Sequence, residues 1–471
     1  MPVNKNRTIW RDYKMSTGRR LWDKSLLSLT DSSGKMNLFS LALPLFLQQV
    51  FTILLGTVNT VVLTTVSDDA VTAVNIAATV LNIPIMLLTM PSNGAMILLC
   101  LALGEGKRKT VSTLYCTGLA VTIFLSVCVS ALFFALAPSL LRRMQLSDTV
   151  LSAGILYFRI RCVFLLFQAL TTYLTSVLRT HGMAKATMTS GILVNIVNAL
   201  LSIMAVNGLL FGNNKLVGVS LAAGLSQLVG MGYAIGVLYK KQCIAKGGSL
   251  LLSQAMRILK IGIPSGLSLL AYHISTILVT AMIASLGNQA VNTKVFVTNI
   301  ANYTYLFGFS VAQSGALMTG RLCGAGEISH AKQLFRQNIV FVPAVNVCLS
   351  VLVCIFSGQL MRIFTDDPAM IQTARYLFLA DIFVEAFRGI THVGENALCS
   401  VEDTLFTAAI STISCFFISV LFCWLFCIHF KLGLLGYYLA AIIDEGSRGL
   451  CYRLRWNRGR WALRFRKSNT S

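Results

Sequence analysis

Long apolar stretches alternate with short polar stretches along almost the whole chain. Most are at least as long as the roughly 20 residues that an α-helix needs to cross a bilayer, and Gly, Pro, Asn or charged residues bound them. We predict twelve such spans, near residues 37–65, 71–103, 111–138, 152–178, 187–211, 217–239, 258–286, 291–320, 337–357, 372–398, 405–429 and 434–453. The pattern therefore predicts an all-α polytopic membrane protein with twelve transmembrane helices.

The two halves of the chain repeat each other at an offset of 220 residues. Pro44 matches Pro264, and the glycine turn at 104–106 matches the turn at 324–326. Six helices in each copy give both copies the same orientation, and two such halves related by an axis along the membrane normal enclose a binding site. We therefore predict two tandem six-helix lobes around a central cavity.

Polar and basic segments flank and join the predicted lobes. The stretch 19–29 is expected to form an amphipathic surface helix or an unstructured tail, and the two alternatives stay open. The predicted domains are an N-terminal cytoplasmic arm (1–35), a first lobe (36–240), a cytoplasmic linker (241–257), a second lobe (258–454) and a basic cytoplasmic tail (455–471).

Charge and composition agree with a membrane protein. The chain is 55% hydrophobic and only 12% charged, yet its formal net charge is +22. Because the basic residues are scattered between apolar spans, they fit the positive-inside rule better than a nucleic-acid surface. Most of them fall on the side of both termini. We therefore predict a multi-pass protein of the plasma (inner) membrane with both termini cytoplasmic and no nucleic-acid partner.

Several motifs, in order from about Met36 to Trp461, resemble the multidrug and toxic compound extrusion family. They are the segments 41–44, 56–60 and 66–74, the glycine turns near 104 and 324, the stretch 178–182, and the C-terminal segments 443–449 and 455–461. The resemblance implies two six-helix lobes, alternating access, and efflux of drugs or metabolites driven by H⁺ or Na⁺.

The chain departs from this family at three positions. The family often carries an acid in its first helix where this chain has Asn59. An amide side chain neither takes up nor releases a proton at ordinary pH. Some branches carry acids where this chain has Tyr272 and Arg388, in the seventh and tenth helices. Other branches carry a glutamate and an arginine together in the tenth helix, and the pair of Glu385 and Arg388 is similar to that arrangement.

Ionisable residues are concentrated on the predicted tenth span. Charged groups at membrane depth are costly unless they face a cavity or pair with one another. Asp381, Glu385, Arg388, His392 and Glu395 are spaced four, three, four and three residues apart, so they share one helix face. We predict that Asp381 and Glu385 form an ion-coupling site in which Arg388 keeps Glu385 ionised. The alternative is an ion pair that only fixes the helix to its neighbours.

Other polar residues within spans are weaker candidates. The resemblance implies that polar residues of the fifth helix face a cavity in the first lobe, so Asn195 and Asn198, together with Asn59, are predicted to do so. Tyr272 is predicted to line the substrate cavity. A second cluster on the last span, predicted to fix that helix in place, consists of Asp444, Glu445 and Arg448. The thirteen cysteines show no metal-ligand spacing, so no metal site is predicted.

The sequence favours secondary transport over other functions. The glycine turns lack the preceding strand and the following Lys-Ser pair that a phosphate-binding loop requires. The sequence also shows no nucleophilic residue paired with a general base, so it does not indicate an enzyme. We predict a monomeric antiporter in contact with membrane lipids that exports organic cations or amphiphiles against H⁺ or Na⁺, without nucleotide or cofactor. Alternatives are a lipid-linked oligosaccharide flippase, expected to have cationic cavities in both lobes, and a channel.

Overall fold

The computed structural model describes residues 28–31, 34–64, 68–144, 146–210, 214–243 and 247–466, with side chains from residue 36 except at 57–71 and 466. In the described part of the chain, the first elements are two short strands, β1 (Ser28–Asp31) and β2 (Gly34–Asn37). They pair as an antiparallel hairpin directly before the first helix. Most of the predicted amphipathic stretch 19–29 lies outside the described residues.

The first lobe consists of six long helices. They are α1 (Leu38–Thr64), α2 (Asp68–Gly104), α3 (Arg108–Arg142), α4 (Asp148–Thr180), α5 (Ala184–Val206) and α6 (Lys215–Lys240). Helices satisfy their backbone hydrogen bonds internally, which is why long apolar sequences adopt them in a bilayer. The six helices correspond one to one to the first six predicted spans.

The second lobe repeats this order with small additions. Its elements are α7 (Leu252–Ala284), α8 (Asn288–Gly324), α9 (Ile328–Ile355), the short α10 (Ser357–Met361), α11 (Pro368–Ser400), α12 (Thr404–Ile413), α13 (Leu421–Cys423), α14 (Gly433–Asn457) and α15 (Ala462–Arg466). One π-helical segment, Ser414–Val420, joins α12 to α13, and a second, Trp424–His429, continues α13. Together they form one continuous span. In the described part of the chain, each lobe therefore has six helices that are long enough to cross a bilayer, which makes twelve in all.

The internal repeat is visible in the packing as well as in the helix boundaries. Helices α4 and α11 both have 33 residues and begin 220 positions apart. The Thr171 hydroxyl on α4 donates to the carbonyl oxygen of Gln227 on α6 at 3.0 Å. In the second lobe, Thr391 on α11 donates to the carbonyl oxygen of Glu445 on α14 at 2.8 Å. The two lobes thus share helix lengths and interhelical register.

The lobes pack tightly against each other at one end, where the glycine turns lie. A Cβ atom at Gly104 would clash with the Arg321 carbonyl, and one at Gly324 would clash with the Leu101 carbonyl. One buried core crosses both lobes at this end, whereas the opposite ends have a separate core in each lobe. The lobes are therefore joined at the end that carries the basic loops.

Polarity separates the helices that face lipid from those that face the interior. Among the described residues, nine helices are long and apolar enough to cross a membrane by composition. The other three long helices, α8, α11 and α14, fall short because each carries polar residues within its span. These three helices supply most of the cavity wall described below, so their polar faces are hidden from lipid.

Some helices extend beyond the predicted spans. Helix α9 begins at Ile328 rather than near 337, and α7 begins at Leu252, inside the predicted linker. Both extensions carry basic or polar residues and lie outside the apolar runs on which the prediction rested. In the predicted tail, Trp456 stacks between Phe335 and Trp461, with ring centroids 4.6 and 4.2 Å apart. Stacking thus fixes the start of the tail to α9.

Candidate functional site

A cavity of about 490 Å³ lies inside the second lobe, with one wall supplied by α2 of the first lobe. Helices α7, α8, α11, α12 and α14 form the rest of the wall. Tyrosine, serine and asparagine side chains are frequent in the lining. The ionisable residues of the wall are Tyr272, Tyr305, Asp381, Arg388, His392, Glu395, Cys100, Cys399, Tyr437, Tyr438, Glu445 and Arg448.

Asp381 is the first acid of the stripe on α11. Its residue surface is only 4% exposed, and it forms part of the cavity wall. Among the described residues, the Asp381 carboxylate has no hydrogen-bond or ion-pair partner. A buried carboxylate without a partner is unfavourable in a medium of low dielectric constant. The side chain can therefore be neutralised by a proton or a cation.

Glu385, one turn further along α11, is completely buried and fully partnered. One carboxylate oxygen accepts a hydrogen bond from Nη1 of Arg388, and the other accepts from Nδ2 of Asn346 on α9 at 3.0 Å. Gly308 on α8 makes room for this amide, since a Cβ there would clash with Asn346. The sequence analysis missed Asn346, although an asparagine within the apolar ninth span was a usable signal.

Arg388 connects α11 to α14. Its Nε lies 3.3 Å from Oε1 of Glu445, which also lies 3.1 Å from Nη2 of Arg448. Arg448 in turn pairs with Asp444 at 2.8 Å, and Asp444 accepts a hydrogen bond from Ser414. The ion-coupling residues and the second cluster, which the sequence analysis treated separately, thus form one continuous network.

The network contains more acids than bases. The cavity wall and its direct partners hold five carboxylates, on Asp381, Glu385, Glu395, Asp444 and Glu445, against the two guanidinium groups of Arg388 and Arg448. Oε2 of Glu445 is buried without a hydrogen-bond partner among the described residues. An excess of carboxylates favours the binding of a positively charged species over an anion.

Aromatic side chains cover one side of the network. The Tyr305 ring lies 5.8 Å from the Arg388 guanidinium carbon, and the Phe309 ring meets His392 edge to face at 5.0 Å. His392 itself lies on the cavity wall. Aromatic faces beside carboxylates form an environment that binds organic cations through both charge and ring contacts.

The remaining predicted residues fall in different places. Tyr272 lines the second-lobe cavity. Asn195 and Asn198 lie on α5 in the first lobe and do not line the second-lobe cavity. Asn195 donates to the Gly191 carbonyl at 2.9 Å, and Asn198 accepts a hydrogen bond from Ser202 at 3.4 Å. The side chain of Asn59 lies outside the described residues.

Metal coordination has no candidate group among the described residues, where no three His, Cys, Asp or Glu side chains are placed to share an ion. The Sγ atoms of Cys423 and Cys427 lie 3.6 Å apart, and both residues are buried in the second lobe.

A family model described as MatE matches this chain twice, over residues 44–204 and 264–425. The chain belongs to the MatE family. The two matched segments begin 220 residues apart, at the offset of the internal repeat, and together cover more than half of the chain. The family resemblance and the duplication predicted from the sequence are both confirmed.

Relatives of this MatE protein cover nearly its whole length. An "Uncharacterized transporter YisQ" of Bacillus subtilis is 29% identical over 431 residues, 90% of this chain and 94% of the relative. A "Probable multidrug resistance protein NorM" of Thermotoga maritima is 24% identical over 444 residues, 91% of this chain and 94% of the relative.

The solved structures of similar fold include one described as an outward-facing multidrug resistance MATE family transporter of the MOP superfamily. It has a TM-score of 0.82 at 17% identity and covers 90% of this chain and 95% of that chain. The predicted fold class is therefore confirmed. This MatE protein is a multi-pass membrane transporter whose twelve helices form two lobes.

Proposed function

We propose that this MatE protein exports small organic cations or amphiphilic compounds in exchange for H⁺ or Na⁺. The single observation that carries the proposal is the position of Asp381, a buried carboxylate on the wall of the 490 Å³ cavity that has no hydrogen-bond or ion-pair partner among the described residues. Relatives named as multidrug resistance proteins support the same direction of transport.

Exchange follows from competition for the same carboxylate. A proton, Na⁺ or a cationic substrate would each neutralise Asp381, and two of them would not do so at once. Glu385 lies one turn away and already binds Arg388 and Asn346, so it adds negative potential without being the first acceptor. Release of the coupling ion would therefore favour substrate binding, and release of the substrate would favour binding of the ion. Antiport requires this mutual exclusion.

Alternating access is supported by the packing of the lobes. They share a buried core at the end of the Gly104 and Gly324 turns, and each has its own core at the other end. The positive-inside rule assigns the basic loops of the packed end to the cytoplasm. We propose that both termini are cytoplasmic, that the membrane is the plasma membrane, and that the transporter works as a monomer.

A lipid-linked oligosaccharide flippase is the alternative that the sequence left open. Such a protein would need cationic surfaces in both lobes to bind a pyrophosphate. The five carboxylates around the second-lobe cavity oppose a pyrophosphate there. The charge of the cavity therefore favours cation efflux.

The test is uptake of a fluorescent organic cation into inside-out proteoliposomes under imposed H⁺ or Na⁺ gradients. Asp381→Asn should reduce gradient-driven accumulation by at least about tenfold, because an amide neither binds a proton nor attracts a cation. The matched control is Asp366→Asn, which makes the same change at an exposed position before α11.

Unchanged accumulation in Asp381→Asn would refute coupling through Asp381. Absence of accumulation by the wild-type protein under both gradients would refute cation export. The gradient that drives uptake identifies the coupling ion directly.

A further inference from the structure

The exposed side chains of α9 form a stripe that is apolar over most of its length and basic at one end. They recur every fourth residue, so they follow one continuous line along the helix surface. From the packed end outwards, the stripe consists of Lys332, Arg336, Val340, Ala344, Cys348 and Leu352. Val340 and Leu352 are each 51% exposed, and the lining of the second-lobe cavity includes no described residue of α9. The apolar part of the stripe therefore faces lipid, and two cations lie where it ends.

Helix α14 has the same arrangement at the same end. Leu450 and Leu454 are 58% and 50% exposed, and Leu450 lies about 160° around the helix from Arg448 of the cavity wall. These leucines therefore face lipid as well. Arg453 and Arg458 are exposed and lie within about 80° of the line through the two leucines. The lipid-facing surface of α14 thus also ends in cations.

Direct contacts bring the two basic ends together. The Phe335 ring on α9 stacks on the Trp456 ring on α14, with centroids 4.6 Å apart. Lys332 reaches the turn that follows α14, where a Cβ at Gly459 would lie 3.9 Å from its Nζ. The exposed cations around these contacts, together called the basic patch, are Lys332, Arg336, Arg453, Arg458 and Arg460.

The basic patch has no carboxylate within ion-pair distance among the described residues. The two acids of the adjoining turn have other partners, because Asp403 binds Arg455 at 2.7 Å and Glu402 binds Arg257. Like charges gathered on one surface repel one another, and a bound anion removes that repulsion. Since the lipid-facing stripes of α9 and α14 adjoin the patch, the anion that fits this surface is one joined to acyl chains.

The internal repeat makes this arrangement particular to the second lobe. Helix α3 is the counterpart of α9, and its positions at the 220-residue offset from Lys332 and Arg336 are Ser112 and Cys116. Neither residue carries a positive charge. The first lobe therefore has no cations on α3 that could share an anion with the end of α6.

We propose that the basic patch binds the phosphate of an anionic phospholipid from the leaflet at the packed end, with the acyl chains along the stripes of α9 and α14. Basic residues next to transmembrane helices attract anionic headgroups, and arginine matches phosphate with paired N–H donors. A headgroup bound to both helices would hold the start of the tail against α9. The inference concerns a surface outside the cavity and does not depend on the export function.

The experiment is native mass spectrometry of the purified full-length protein in detergent. The protein is titrated with phosphatidylglycerol or with phosphatidylcholine of identical acyl chains, so that the two lipids differ in net charge but not in their apolar part. The wild type should retain phosphatidylglycerol at least about tenfold more tightly than phosphatidylcholine, because several cations contribute to binding of the charged lipid. Arg336→Gln and Arg458→Gln should each weaken phosphatidylglycerol binding about fivefold and leave phosphatidylcholine binding unchanged.

A matched pair of double variants separates a specific site from general surface charge. Arg336→Gln combined with Arg458→Gln should remove most of the preference for phosphatidylglycerol. Lys240→Gln combined with Lys241→Gln removes two exposed cations from the end of α6 and should keep it. If the arginine double variant does not fold, Lys332→Gln, at another exposed position of the patch, should still weaken phosphatidylglycerol binding about fivefold.

Three results would overturn the inference. The first is equal retention of the two lipids by the wild type. The second is an equal loss in the α6 control, which would assign the preference to surface charge in general. The third is displacement of phosphatidylglycerol by soluble glycerol phosphate at the same concentration, which would mean that the patch binds a free phosphate and that the acyl chains contribute nothing.

Discussion

Helices α4 and α11 are the same helix of a duplicated fold, yet they carry opposite chemistry. Both contain 33 residues and make equivalent hydrogen bonds to the last helix of their lobe. On the interior face, α11 presents Asp381 and Glu385, whereas α4 presents Arg161 and Leu165 at the matching positions. Helix length and register are therefore preserved where packing requires them, and the charge of the interior face has diverged between the lobes.

This difference assigns separate roles to the two halves of the molecule. The second lobe surrounds a cavity with an excess of carboxylates, and the first lobe has the guanidinium of Arg161, hydrogen-bonded to Gln168, at the position that matches Asp381. The packed end, in contrast, is nearly symmetric, because Gly104 and Gly324 make equivalent close contacts with the other lobe. Matched substitutions should therefore have unequal effects at the interior faces and similar effects at the packed end.

The largest expected difference concerns Arg388 and its counterpart Gln168. Arg388→Ala should lower the free energy of unfolding by about 3–5 kcal/mol, because it leaves the buried carboxylate of Glu385 without its counter-ion and removes one of the two guanidinium partners of Glu445. Gln168→Ala removes one neutral hydrogen-bond partner and should cost about 1 kcal/mol. Denaturant titrations in detergent micelles would measure both. Equal losses would contradict the assignment of Arg388 as the counter-ion of the network.

A second comparison concerns Asn346 and Ser126, which correspond on α9 and α3. Asn346→Leu should cost about 1.5–3 kcal/mol, since the amide donates to a charged carboxylate that has no exposed surface. Among the described residues, the Ser126 hydroxyl donates only to the Ile123 carbonyl of its own helix, so Ser126→Ala should be nearly neutral. The melting temperatures of the two variants would show which substitution destabilises the protein more. A neutral Asn346→Leu would mean that Arg388 alone stabilises Glu385.

The Asn346 contact also illustrates what the sequence could and could not predict. Hydrophobic spans and the 220-residue offset were sufficient for the twelve helices, the two lobes and the shared face of Asp381, Glu385 and Arg388. Spacing within one helix did not reveal which residues of other helices meet that face. The contacts of Asn346 and Glu445 with this network depend on how α9 and α14 pack against α11, and that information is not local in sequence.

The extent of the cavity was also beyond sequence reasoning. The asparagines of α5 are predicted to face a cavity in the first lobe because the family resemblance implies polar residues there, although polar residues in spans also serve as partners between helices. Asn195 donates to the Gly191 carbonyl one turn earlier and to the Thr52 hydroxyl on α1, and Asn198 accepts from Ser202, so both side chains have hydrogen-bond partners without a cavity. Tyr272, in contrast, lines the second-lobe cavity. Local hydrogen bonding and cavity lining give the same sequence signal, and only the packed structure separates them.

At the packed end, the two lobes should respond alike. Gly104→Ala and Gly324→Ala each place a methyl group against a backbone carbonyl of the other lobe, so each should cost about 1–3 kcal/mol. The matched control is Gly232→Ala on α6, where a Cβ meets no atom within 4 Å. Thermal melting would compare the three variants. A loss in one lobe only would show that the packed end is not symmetric.

The smallest expected effect tests the shared register directly. Thr171 and Thr391 each donate to a carbonyl one turn earlier on their own helix and to a carbonyl on α6 or α14. Thr171→Val and Thr391→Val should each cost about 1 kcal/mol, the usual contribution of one hydrogen bond, because valine keeps the shape of the side chain. Melting of the two single variants and of the double variant would measure this cost. Equal and additive losses are expected, since the two sites share no partner. A clearly larger loss for Thr391 would mean that its bond to the Glu445 carbonyl also orders the acidic network, so that packing and charge are coupled in the second lobe alone.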